Sequence, residues 1–182
     1  MSTLIDSYSE SNWDFTSFNL SSDFILGQSF EAGEPSINIT SAKFYIQKDA
    51  GATGNLSAAI YEHSGTYGTS SVGTGTKLAS SDVIDLTSLG TSYNLVEFSF
   101  SGQDRIKLPN TYYIITIERS GGSGFVEVTH DSTTLGHSGN SCRYDGSWTY
   151  DASKDRIFYV YGDNLREISG ISSIQGISSI TL

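Results

Sequence analysis

The residues with the most chemical potential in this chain are three histidines, a scatter of carboxylates and an unusual number of aromatic rings. His63, His130 and His137 would serve as metal ligands or bases, and His130 stands directly before Asp131. Their spacing matches no zinc set, and no serine sits in a nucleophile-elbow context, so the ordinary reading is of polar loop histidines that hydrogen-bond their turns. Glycoside cleavage needs two carboxylates facing each other across a sugar. Glu62, Glu97, Glu118 and Glu127 lie in strand-like stretches, but alternation turns Glu97 and Glu118 outward among ordinary polar neighbours. Sugar contact without cleavage asks for less: flat rings on rigid loops, with amides and carboxylates beside them for the hydroxyls. Tyr144, Trp148 and Tyr150 lie together with Asn140 and Asp145, which makes these five the glycan-contact candidates. The competing reading is that Trp148 packs beneath its own loop as a small core. No catalytic residue is assigned.

These residues need a scaffold, and the hydropathy pattern supplies one. Short stretches of apolar–polar alternation, bounded by Gly, Asn, Asp and Ser, recur along the chain, and helical periodicity is nearly absent. The strands expected are Phe24 to Phe30, Ile37 to Gln47, Leu56 to Tyr61, Leu78 to Leu86, Leu95 to Phe100, Tyr112 to Glu118, Phe125 to Thr129 and Ile157 to Tyr161, with a weaker one at Leu4 to Tyr8. Within them Ala42, Phe44 and Ile46 share one face and Lys43, Tyr45 and Gln47 the other. Val96, Phe98 and Phe100 likewise oppose Glu97 and Ser99, and Phe158, Val160 and Gly162 oppose Ile157, Tyr159 and Tyr161. About nine strands with only two prolines and no crossover helix imply two packed antiparallel sheets. The longest loops are expected at His63 to Lys77 and Asp131 to Asp155.

Composition narrows the function. The 182 residues suit one good-sized domain, 37% hydrophobic and 12% aromatic but only 16% charged, so the chain can bury a real core despite its many small polar residues. A net charge of −10 without any basic run argues against nucleic-acid and anionic-membrane partners. The single cysteine, Cys142, has no internal disulfide partner. Met1 to Asp6 lacks the basic start and apolar run of a signal peptide, so synthesis and retention in a cytoplasm are expected.

From Leu165 the pattern changes. Leu165, Ile168, Ile171, Ile174, Ile177 and Ile180 fall at every third position, separated by small and polar residues. That period fits neither an α-helix nor a strand, but an extended threefold chain or a three-residue coil. The chain therefore divides into a sandwich over residues 1–163 and a tail over 164–182 for oligomerisation or anchoring.

An ordered series of blocks carries a family resemblance: GQSF at Gly27 to Phe30, then AKFYIQK, TGNLSAAIYEHSGTYGTSS, LASSDVIDL, YNLVEFSFSG, NTYYIITIE, HDSTTLGHSGN and IFYVYG. Together they resemble a jelly-roll β-sandwich domain of tailed-phage virion proteins and bacterial surface proteins, loosely related to carbohydrate-binding modules. The tail is similar to the Ile/Ser/Gly repeats that end many phage structural proteins. The resemblance implies an all-β, two-sheet jelly roll with an extended C-terminal tail. It requires no cofactor, although a structural Ca²⁺, found in many related jelly rolls, would use loop carboxylates such as Asp131, Asp145 and Asp151. A surface-like composition without an export signal fits a phage protein, which reaches the outside by lysis. The expected function is thus a non-catalytic virion structural protein, either capsid decoration or fibre or appendage subunit. It would be a homotrimer held to other virion proteins and exposed on the virion surface after synthesis in the host cytoplasm. The alternatives are a carbohydrate-binding module of a secreted or surface protein, touching surface glycans, and last a glycan-active enzyme.

Overall fold

The computed structural model describes residues 2–21, 24–33 and 36–163. The tail that begins at Leu165 lies outside these residues. The described chain is all-β, two antiparallel sheets packed as a sandwich. Its strands are β1 (Thr3–Tyr8), β2 (Thr16–Leu20), β3 (Ile25–Glu31), β4 (Ile37–Lys48), β5 (Asn55–Ser64), β6 (Val72–Ser80), β7 (Ile84–Asp85) and β8 (Asn94–Ser99). There follow β9 (Lys107–Leu108), β10 (Tyr112–Ser120), β11 (Val126–Asp131), β12 (Ser141–Tyr144), β13 (Trp148–Asp151), β14 (Asp155–Arg156) and β15 (Phe158–Asp163). The first sheet is organised on β4, which pairs with β15 and β11 as well as with β8 and β9; β1 adds to β15, and β2 and β14 add to β11. The second runs β13-β12-β3-β10-β5-β6, with β7 beside β5.

The inner faces follow the alternation. Ala42, Phe44 and Ile46 are buried while Lys43, Tyr45 and Gln47 are half-exposed. From the facing sheet come Leu26 and Phe30, Leu56 and Ile60, and Ile115 and Ile117. Phe30, Phe44, Phe98 and Phe158 are fully buried, and the Phe44 and Phe98 rings meet edge to face at 6.2 Å. Burial of side chains of this size stabilises by roughly 1.5–3 kcal/mol each, the main favourable term in a chain with so few charges.

The structure corrects the sequence reading in several places. β6 begins at Val72, inside the stretch expected to be loop, because the edge of β5 supplies backbone partners that override the low strand preference of its glycines. The expected strand Leu78 to Leu86 is split into β6 and β7. The second expected loop holds the hairpin of β12 and β13. Ile157, assigned with Tyr159 and Tyr161, is instead fully buried, since it sits between β14 and β15 and bonds through its backbone to Thr129 and Tyr45.

One cation ties the loops at the far end of the sandwich. Arg119, near the end of β10 and 5% exposed, donates to the carbonyls of Leu20, Thr53, Ser123 and Gly124. The turns approach so closely there that Gly122, at φ +77°, has no room for a Cβ, which would lie 2.0 Å from the Thr53 carbonyl oxygen. Arg119→Met removes the donors and leaves those carbonyls competing for few alternatives. A loss of about 2–4 kcal/mol in urea unfolding is expected, and an unchanged midpoint would show the tie to be dispensable.

Candidate functional site

The hairpin of β12 and β13 forms one edge of the second sheet, with β12 paired to β3 and β13 on the outside. It holds the five residues picked out for glycan contact, and the structure separates them. Trp148 is half-buried, edge-on to Tyr61 at 5.3 Å and to Tyr144 at 5.5 Å. It covers Gly73 of β6 so tightly that a Cβ there would lie 2.5 Å from the indole. With Tyr61, Ala59, Ile114, Cys142, Ile25 and Val72 it makes a second apolar cluster. Trp148 thus belongs to packing, and so, in part, does Tyr144. Asn140 is 1% exposed, and its amide is fully engaged: Oδ1 accepts from Ser71 N, and Nδ2 donates to the Ser71 and Ser141 carbonyls. It fastens the β5–β6 loop to the hairpin and presents nothing to a ligand, which corrects its assignment. Asp145 is exposed but lies 3.5 Å from Arg143. Tyr150, 57% exposed, is the ring of the three that faces solvent. Cys142 is sealed beneath this layer, and burial pushes its thiol up to about 12.

Beside the hairpin, where its edge meets β2 and β14 of the first sheet, lies a cavity of about 190 Å³. Phe18, Ser141, Arg143, Thr149, Lys154 and Arg156 contribute to its wall, with Tyr150 and Asp151 also bordering it. Arg156 is 3% exposed and is placed by β14, its backbone N–H bonded to Gln28 Oε1 of the other sheet at 2.8 Å. Its Nη1 donates to His130 Nδ1 at 3.4 Å, and its carbon Cζ lies 5.8 Å from the Phe18 ring centre. Desolvation pulls the guanidinium down to about 10, still charged at neutral pH, while desolvation and the nearby Arg156 and Lys154 charges pull His130 down to about 4. His130 is therefore a neutral acceptor. None of these basic residues was singled out in the sequence, where the available signal was three cations within residues 143–156 of an acidic chain.

Of the remaining candidates Glu62 and Glu97 are exposed, Glu97 beside Lys43 at 3.4 Å, and the others are absorbed by the fold. His137 Nδ1 accepts from Gly139 N at 3.0 Å, so Nε2 carries the proton and faces both Asp6 oxygens at 3.2 Å. His63 lies 2.9 Å from the Ser71 hydroxyl. Glu127 accepts from Ser17, Gln47 and Tyr93, and Glu118 from Tyr61, Thr116 and Lys77. Asp131 accepts from the Tyr8 hydroxyl and from the amides of Thr133, Thr134 and Leu135; burial would raise its pKa, but these bonds outweigh it and hold it below the usual range. Asp145 and Asp151 are held by basic neighbours of their own, and no group of three or more metal-ligating side chains occurs among the described residues. A second aromatic group escaped the sequence reading: Trp13 packs on Tyr93 at 4.5 Å and on Tyr45 at 5.5 Å, with Phe15 beside it, 84% exposed and at φ 68°.

Compared with protein-family models, curated proteins and solved structures, the chain matches none.

Two outcomes follow from this geometry. Trp148→Ala opens the outer cluster and is expected to cost about 2–4 kcal/mol in chemical denaturation, whereas Tyr150→Ala should stay within about 0.5 kcal/mol; equal effects would reverse the division between packing and display. The second concerns His130, whose folded pKa of about 4 lies below its ordinary 6.5. A depressed histidine adds stability that is complete above the unfolded pKa and is lost as pH falls through the window toward 4. The loss is expected to be on the order of 3 kcal/mol. His130→Gln, which keeps an acceptor for Arg156, should flatten the stability curve between those pH values, and an unaltered slope would locate the acid sensitivity elsewhere.

Proposed function

We propose that this chain is a non-catalytic structural protein of a tailed-phage virion, a capsid decoration protein or a fibre or appendage subunit, built on a jelly roll and assembled as a trimer. The observation that carries this reading is where the chemically capable side chains go. All three histidines and the strand-borne Glu118 and Glu127 act as internal partners, bonded to loops and neighbouring strands. Such a use of polar groups stiffens a β-sandwich whose surface carries many Ser, Thr and Gly residues between scattered charges, the kind of surface that tolerates life outside a cell. The block resemblance to virion jelly rolls and the period-three tail point the same way.

A second reading, a carbohydrate-binding module, is favoured by one particular feature. The hairpin is anchored by Trp148 and Asn140 yet leaves Tyr150 outward beside a polar cavity, and stiff presentation of an aromatic ring is what sugar stacking needs.

Trimerisation is the sharper test. Six aliphatic side chains at a period of three would lose roughly 1.5–3 kcal/mol each by staying in water rather than being fully buried, and three copies around an axis cover one another with closed symmetry. Light scattering on the full-length protein is expected to give three times the chain mass, and protein ending at Asp163 is expected to be monomeric. A full-length monomer, or a truncated form that remains trimeric, would overturn the assembly reading.

A further inference from the structure

Of the chain's ten lysines and arginines, three meet at the cavity between β2, the β12–β13 hairpin and β14. In a protein of net charge −10, what neutralises them is informative. Two are answered locally: Arg143 lies 3.5 Å from Asp145, and Lys154 lies 2.5 Å from Asp151. Arg156 is not. It is 3% exposed, its Nε has no hydrogen-bond partner, and no carboxylate among the described residues lies within ion-pair distance. Its acceptor, His130, is neutral, and Cys142, which also borders the cavity, is kept as the neutral thiol by burial. The Phe18 ring, 5.8 Å from Cζ, contributes a cation–π contact that offsets only part of the cost of taking an ion out of water. Arg119 is also buried and its Nε is likewise without a partner, but its Nη atoms are surrounded by four backbone carbonyls that disperse its charge, and Arg156 has no such carbonyls among the described residues.

We propose that this cavity binds a single carboxylate carried on a sugar ring, a hexuronate or similar acidic saccharide, with the carboxylate against Arg156. One uncompensated positive charge calls for a monoanion; a dianion such as sulfate would leave excess negative charge beside Asp151. A guanidinium presents paired donors that match the two oxygens of a carboxylate. The space of about 190 Å³ is of the order of one sugar ring, and Thr149 on the wall offers a hydroxyl for its hydroxyl groups, while Asp151 is engaged by Ser153 and Lys154. The sugar half of the proposal rests on the carbohydrate-binding reading above, while the carboxylate half rests on the charge of Arg156 alone.

The test is titration of the full-length protein with sodium glucuronate, sodium acetate, glucose and sodium sulfate at constant ionic strength, followed by calorimetry and by the shift in Tm. Glucuronate should bind saturably, acetate several-fold more weakly, and glucose and sulfate more weakly still. Arg156→Met should abolish the glucuronate response. Because that change touches a buried site, Asp151→Asn provides a second arm near the surface: it removes the negative charge on the wall and is expected to tighten glucuronate several-fold. No response to glucuronate at tens of millimolar, tighter sulfate than glucuronate, or an unchanged affinity in Asp151→Asn would overturn the proposal. Glucose binding as well as glucuronate would overturn the carboxylate and leave the carbohydrate-binding reading standing. Acetate binding as well as glucuronate, with no response to glucose, would overturn the sugar ring and that reading with it.

Discussion

A buried strand must find partners for its backbone along both edges, and in this molecule one strand sets that requirement for nearly everything else. β4 runs from Ile37 to Lys48, longer than any other strand described. Its register with β15 places Phe158 opposite Phe44, and its register with β8 places Phe98 opposite Ala42. A slip of one residue would turn Phe44 to solvent and Lys43 to the core. Because β11 continues the same edge beyond β15, the pairing of β4 also fixes β2 and β14, and through β14 the position of Arg156.

How much of this was legible in the sequence depended on side-chain size. β4 and β8 alternate large apolar with polar groups, so their faces could be read directly from residues such as Phe44 and Phe98. β12 and β13 could not, since SCRY and WTYD alternate over only four residues each, too few to stand out from a loop, and their pairing is imposed by the open edge of β3. Ile157 was turned the wrong way because the backbone is irregular between β14 and β15, and a strict period of two assumes no such break. The candidate site was less legible still. Phe18, Arg143 and Arg156 are brought together by strand pairings far apart in sequence, and burial, the property that makes Arg156 unusual, has no sequence signature. Asn140 shows the reverse error: in sequence it is a polar residue beside aromatics, and only the fold reveals that its amide is closed into backbone bonds.

The two sides of the second sheet divide the work. The inner side joins the main core, whereas the outer side carries its own apolar layer around Trp148 and Tyr61. That layer, together with Asn140, holds a short edge hairpin that would have little stability alone. Rigidity at the hairpin is thus borrowed from β5 and β6, which lie across the sheet from β3.

The enclosure of Cys142 has a practical consequence. Its thiol lies under this layer, and burial keeps it protonated across the physiological range, so air, peroxide and disulfide-forming neighbours meet no nucleophile while the hairpin stays closed. The thiol is thus the same group in a reducing and in an oxidising medium as long as that enclosure holds. The same enclosure makes the sulfur a natural reporter: alkylation by a small thiol reagent proceeds only as fast as the edge hairpin opens, so its rate times that local opening without any engineered label.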